Sequence, residues 1–152
     1  MTSTDAFTLY DPPVVRRRRR PLHSGLASIG ATLLIAAFVT DFAYWRTLLF
    51  QWNNFSGWLL LAGLIFAGLS GLAFLFDLAT HRLDGVAWLQ LLGFTAAALL
   101  SLLNVFVHSR DAYTAVVPEG ISLSFVVAVL LVLLGVHGWT IDARRPSRLS
   151  RL

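Results

Sequence analysis

Cysteine is missing from this sequence, and so is lysine: all twelve of its Lys/Arg positions are arginine. The first absence excludes disulfides, Cys-ligated zinc and Cys-ligated iron–sulfur clusters. Charge of either sign is scarce too. Only 13% of the 152 residues are charged and 57% are hydrophobic, where soluble domains carry about 25% charged residues. With a mean hydropathy of +0.71, a water-soluble globule would expose apolar patches it has no polar surface to cover. There is also no HExxH, no Gly-rich phosphate loop and no Ser/His/Asp set arguing for hydrolysis. The expectation is a membrane protein with one domain and no catalytic constellation.

What is present is arginine in clusters. The net charge of +4 and pI near 10.7 would suit nucleic acid if the basic residues were spread over a fold. They are not spread: Arg16 to Arg20 form one run, Arg82 stands alone, and Arg144, Arg145, Arg148 and Arg151 form a third group. Between them lie four apolar segments, at about 22–46, 55–79, 86–108 and 119–141, with breaks at Asn53-Asn54, Asp84-Gly85 and Pro118-Glu119-Gly120. At about 1.5 Å of rise per residue, each can cross a hydrocarbon core of about 30 Å. In lipid such spans must be helical, because each backbone group needs an internal partner.

The fold expected is therefore all-α, an integral membrane four-helix up-down bundle with short loops over 22–141. It is flanked by an Arg-rich tail at 1–21 and a basic tail at 142–152. Placing both termini in the cytoplasm puts ten of the twelve arginines inside, leaving Arg46 and Arg110 outside. Tyr44, Trp45, Trp52, Trp58 and Tyr113 then approach one interface, and Trp88 and Trp139 the other. The run Arg16, Arg17, Arg18, Arg19, Arg20 reads as a topogenic signal that also meets anionic lipid head groups, not as a nucleic-acid arm. A cleaved signal peptide is not expected, since the apolar run is long and no small-x-small site precedes Asp41.

Polar residues inside spans are costly, and by default they mark a functional site or an internal pairing. His23 and Asp41 are 18 residues apart, about five turns, so they share a face of the first helix with Ala27, Gly30, Leu34 and Ala37. Gln90 and His108 share the same spacing on the third helix, with Gly93, Ala97, Ser101 and Asn104 along the line between them. Gly63, Ala67 and Gly71 give the second helix a small-xxx-small face, which then ends in Asp77 and His81. Depth sorts these residues into an outer cluster of Asp41, Asn104, His108 and Arg46, and a cytoplasmic group of His23, Asp77, His81, Gln90 and His137. One reading makes both groups internal hydrogen-bonded ties between helix ends. The other gives His23 and His137, with Asp77 and His81, a cofactor: imidazole ligates b-type haem, and bundle cores place such ligands on facing helices.

The order of these polar marks resembles a known family. Pro-Leu-His opens the first helix, Asp41 closes it and Asp77 ends the second. LLNVFVHSRDAY follows, and then VVPEGISLSFVVAVLLVLLGVHGW. Together, over about 22–140, they resemble the bacterial inner-membrane family called domain of unknown function 2231. That resemblance implies a four-helix inner-membrane protein without an established activity, found with periplasmic sugar or alcohol dehydrogenases and c-type cytochromes. The family pattern HPxxxHFP is met by His23 but has Ser28 at its second histidine and Gly30 at its final proline. Gln90 stands where relatives carry a histidine, and His137 where they carry a serine. The functional expectation is a non-catalytic integral subunit, anchor or assembly partner of a membrane complex, respiratory complexes included. The alternative is an electron-transfer module binding b-haem or quinone through the His/Asp clusters.

Overall fold

The computed structural model describes residues 22–80, 88–110 and 116–144. The arginine run, His81, Arg82 and Tyr113 lie outside these residues. Four α-helices follow in order: α1 Leu22–Thr47, α2 Phe50–Ala79, α3 Trp88–His108 and α4 Ile121–Arg144. A wide turn, Val116–Gly120, leads into α4. All four helices are long and apolar enough to span a membrane, and no strand occurs among the described residues. Each helix packs on its neighbours in the sequence and α4 closes back on α1, so the arrangement is a four-helix up-down bundle. The closest pair is α1 with α2, and the loosest neighbouring pair is α2 with α3.

Only Leu48 and Leu49 separate α1 from α2. Leu48 takes the left-handed conformation (φ 55°) and its N–H donates to the Tyr44 carbonyl at 2.7 Å, which closes α1 and reverses the chain. A leucine there costs about 1–2 kcal/mol relative to right-handed backbone, and the short reversal holds it in place. The second helix begins at Phe50, earlier than the expected 55, so Asn53-Asn54 lies within α2 and breaks nothing. Asn53 continues the stripe of Ser56, Leu60, Gly63, Ala67, Ser70 and Asp77, all buried at helical spacing. The helix phase therefore extends back through the asparagines.

The buried faces are small and polar, while the outward faces carry the large hydrophobics such as Trp58, Leu72, Leu92, Leu133 and Trp139. This inverts a soluble bundle, because lipid offers no hydrophobic drive for helices to hide leucine from one another. Association then depends on close backbone approach and interhelical hydrogen bonds. Close approach is supplied at Gly30 of α1, where a Cβ would stand 3.2 Å from the Ala67 nitrogen and 3.2 Å from the Gly63 oxygen. Gly63 and Ala67 thus face α1, as their spacing predicts. Gly71 does not: it is exposed, with nothing near its missing Cβ. Tyr44 likewise is buried at the helix contact and is not part of an exposed aromatic belt.

The middle of the bundle is an apolar layer of Leu34, Ala37, Leu60, Ala97, Val127 and Leu131. It separates two polar clusters, one at the end bearing the Leu48–Leu49 reversal and one at the end bearing the termini.

Candidate functional site: a buried histidine–aspartate cluster

The polar cluster at the reversal end is built by three helices around Asp41. This carboxylate sits on the stripe of Gly30, Leu34, Ala37 and Tyr44, and is 0% exposed. His108, the last residue of α3, places Nε2 3.0 Å from Asp41 Oδ1, and its side chain is only 6% exposed. From α4, the Ser124 hydroxyl donates to Asp41 Oδ2. Asn104, one turn before His108, donates from Nδ2 to the Ser124 oxygen at 2.6 Å. His108 Nδ1 in turn lies 3.0 Å from the Asn104 carbonyl and 3.2 Å from Asn104 Oδ1. The ring closes: Asp41 to His108 to Asn104 to Ser124 and back to Asp41.

Chemistry fixes part of the proton inventory. A backbone carbonyl only accepts, so the contact with the Asn104 oxygen requires a proton on Nδ1 of His108. Nε2 faces a carboxylate, so the proton between them rests on the imidazole or on Asp41, and in either state the pair has no net charge. A buried pair of this kind holds one exchangeable proton at the end of a span. Electrostatic neutrality is what allows it to lie within the apolar bundle.

The second cluster joins α1 to α2 at the terminal end. His23 Nδ1 lies 2.9 Å from Asp77 Oδ2, and the Ser70 hydroxyl donates to the His23 carbonyl at 2.9 Å. Phe74 meets the His23 ring edge to face at 5.4 Å. Midway along the same interface, Ser56 donates to the Ala37 carbonyl at 3.3 Å.

Of the residues singled out from the sequence, the structure brings Asp41, Asn104 and His108 together, and joins His23 to Asp77. Arg46 is exposed at the last turn of α1. Gln90 is exposed and lies over Gly138 of α4, where a Cβ would meet its amide nitrogen at 2.6 Å. His137 is exposed on α4, whereas His23 is turned toward α2. His81 falls outside the described residues. Among the described residues, no group of three or more His, Cys, Asp or Glu could hold a metal ion.

Sequence reasoning missed Ser124, Ser70, Ser56 and the inward face of Asn53. A signal existed for each. Ser124 repeats at three- and four-residue spacing with Gly120, Val127 and Leu131, and all four are buried. A hydroxyl on such a stripe has no water to bond and must meet another helix.

Asn53 also borders a cleft of about 310 Å³ beside this cluster, lined by Phe50, Asn53, Gly57, Trp58, Leu61 and His108 together with Asn54. Asn53 is 8% exposed and its Oδ1 has no hydrogen-bond partner.

A family model described as predicted membrane protein (DUF2231) matches residues 19–146, which takes in all four helices and both polar clusters. The chain belongs to the DUF2231 family. Membership agrees with the four spans and with the resemblance carried by His23, Asp41, Asp77 and the α3–α4 segment. Neither the curated proteins nor the solved structures contain a match to this DUF2231 chain.

Proposed function

We propose that this four-span membrane protein is a non-catalytic integral subunit or assembly partner of a membrane complex, seated in a bacterial inner membrane with both termini in the cytoplasm. The observation that carries this reading is the exposed glycine face of α2. Among the described residues, no atom outside their own stretch of α2 lies within 4 Å of the position a Cβ would take at Gly68 or Gly71. Glycine within a helix costs about 1 kcal/mol relative to alanine, and here nothing inside the chain repays that cost. A helix from another subunit, approaching closely over these two positions, would repay it. The internally bonded clusters supply the rigidity such an anchor needs, and the relatives' association with periplasmic dehydrogenases and c-type cytochromes suggests the kind of complex.

Gly68→Leu combined with Gly71→Leu is expected to abolish a larger species seen by native electrophoresis of mild-detergent extracts. The stability of the purified chain should change by less than about 0.5 kcal/mol, as for exposed sites. Native membranes in which the wild type migrates only as a monomer would refute the partner reading.

The arginine distribution supports the orientation, with ten on the side of the termini and two opposite. It also favours contact of Arg16 to Arg20 with anionic head groups of the inner leaflet. A fluorescent-protein fusion after Leu152 should be bright and an alkaline phosphatase fusion there inactive. The opposite pattern would reverse the orientation and the side assigned to each cluster.

A second reading, an electron-transfer module, is favoured by the proton-holding His108–Asp41 pair bordering the cleft. Of the two cofactors that reading allows, quinone agrees better with the geometry than b-haem. His23 already bonds Asp77 through Nδ1, and His137 faces outward, so these histidines do not share an interior site.

A further inference from the structure

The hydrogen bonds around Asp41 leave one proton position to be decided. Asn104 donates from Nδ2 to the Ser124 oxygen, the Ser124 hydroxyl donates to Asp41 Oδ2, and His108 donates from Nδ1 to the Asn104 oxygens. What is left is the 3.0 Å line between His108 Nε2 and Asp41 Oδ1. With one proton on it, that line is a hydrogen bond and the ring of four side chains carries no net charge. With none, two lone pairs face each other and the ring is an anion. With two, two hydrogens face each other and the ring is a cation. Either excess charge would lie inside an apolar bundle, on a pair whose carboxylate is 0% exposed.

Among the described residues, no neighbour takes that charge over. The other titratable or charged groups described at this end are Tyr44 and Arg46 of α1, Arg110 beyond α3 and Glu119 before α4. Arg46 is exposed, and Arg110 and Glu119 lie 3.8 Å from each other while 72% and 65% exposed. From α2 the buried side chains at this level, Asn53 and Ser56, are uncharged. Asp111 and Tyr113 lie outside the described residues. His108 lines the cleft at this end, its side chain 6% exposed, so Asp41 exchanges protons through the imidazole. Toward the termini, the apolar layer of Leu34, Ala37, Leu60, Ala97, Val127 and Leu131 separates the ring from His23 and Asp77, so the ring fills and empties from one side. A larger cation finds no place, because both carboxylate oxygens are already engaged.

We propose that this ring is a buried binding site for one proton, exchanged at the reversal end through His108, and that the bound proton latches α3 to α1 and α4. Its loss, or the uptake of a second, breaks the His108–Asp41 contact and frees the end of α3, of which His108 is the last residue. The latch goes beyond the subunit and electron-transfer readings and needs neither, since it is internal to this chain.

Proton counts set the direction of the pH dependence. Folded, the pair keeps one proton. Unfolded, it holds two below about pH 4, one between about pH 4 and about pH 6.5, and none above, by the ordinary values of aspartate and histidine. The contribution of the ring to stability is therefore full between those limits. It falls on both sides, by about tenfold in the folding constant per pH unit.

Urea unfolding of the full chain in dodecyl maltoside, followed by circular dichroism from about pH 3 to about pH 9, tests this. The comparison is Asp41→Asn combined with His108→Gln, a neutral pair of similar shape. The ratio of wild-type to variant folding constants should change about tenfold per pH unit on each flank and be level between them. Asp111→Asn and Glu119→Gln should keep the wild-type flanks. A second measurement leaves the ring untouched. The ring nitrogen NMR resonances of His108, assigned by replacing the other three histidines with glutamine, should stay constant from about pH 5 to about pH 8, where free imidazole titrates. A His108 that titrates within that range overturns the site. So does a ratio of folding constants that does not vary with pH. Loss of the flanks in Asp111→Asn overturns it as well and moves the charge to Asp111. Sodium or zinc that raises wild-type stability at constant pH, and not that of the double variant, assigns the ring to a metal ion instead.

Discussion

Replacing Asp41 with alanine is expected to destabilise the bundle by about 3 kcal/mol. Asp41 is fully buried, shares a hydrogen bond with His108 Nε2 and accepts from Ser124 Oγ. Interhelical hydrogen bonds in membranes average only about 0.6 kcal/mol and reach about 1.7. Two bonds near that upper limit give about 3 kcal/mol, which meets the lower end of the roughly 3–5 kcal/mol lost when one partner of a buried pair is removed. The high end of the membrane scale applies because the truncation strands polar groups on two different helices, His108 of α3 and Ser124 of α4. Asn104 is affected in turn, since it bonds both Ser124 and His108.

Asp41→Asn keeps the shape and one acceptor, and should cost about 1 kcal/mol, the worth of one ordinary hydrogen bond. The double variant Asp41→Ala with His108→Ala should lose less than the sum of the two single changes, because the second removes a group the first leaves unpaired. Unfolding in mixed dodecyl maltoside and dodecyl sulfate micelles, followed by circular dichroism, reads all of these. An Asp41→Ala chain within about 0.5 kcal/mol of wild type would mean that the cluster contributes nothing to holding α1, α3 and α4 together.

The second large effect is expected at Gly30. A side chain there points at the backbone of α2, at the Ala67 nitrogen and the Gly63 oxygen, each 3.2 Å from the Cβ position. Backbone cannot turn aside as a side chain can, so Gly30→Leu must separate α1 from α2 along the tightest contact in the bundle. Overpacking of this kind costs about 1–3 kcal/mol, and the upper figure is expected because the obstruction is main chain. The Ser70–His23 and Ser56–Ala37 hydrogen bonds cross the same interface and would lengthen with it. Gly63→Ala is a milder case: its Cβ would meet Leu34 Cδ2 at 2.7 Å, and a leucine can change rotamer, though Leu34 is itself buried. Gly71→Leu serves as the control, with open space at the site and no loss expected in the isolated chain. The same unfolding assay decides it, and equal stabilities for Gly30→Leu and Gly71→Leu would place Gly30 on lipid.

Much of the architecture is written in composition and periodicity. Runs of apolar residues longer than the bilayer core fix the spans, since lipid forces such segments into helices whatever their neighbours. The inward faces of α1 and α3 were legible for the same reason: Gly30, Leu34, Ala37 and Asp41, and likewise Ala97, Ser101 and Asn104, recur at helical spacing, and a polar or small stripe cannot be lipid's share of a helix. At Asn53-Asn54 residue type and periodicity conflict: asparagines suggest a break, although the phase of Ser56 and Leu60 carries the helix through them.

The pairings were decided only by tertiary structure. Asp41 meets His108 67 residues away and Ser124 83 away, and Asp77 meets His23 54 away. Periodicity says which side of a helix is polar but not which helix that side will face, and in these spans the remaining sides are apolar all round. Rotation and neighbour are therefore set by where backbones can approach, at Gly30 on Gly63 and Ala67, and by which polar groups then fall at the same level. Gly71 shows the limit: its spacing matches Gly63 and Ala67, yet it faces away from α1. The Asn53 cleft depends on tertiary structure in the same way, since its described walls come from α2 and from His108 of α3. The sequence alone determined the spans and their polar stripes; the meeting of helices determined the clusters and the cleft, because an interhelical hydrogen bond needs two helices at one depth and one rotation, and no single helix contains that information.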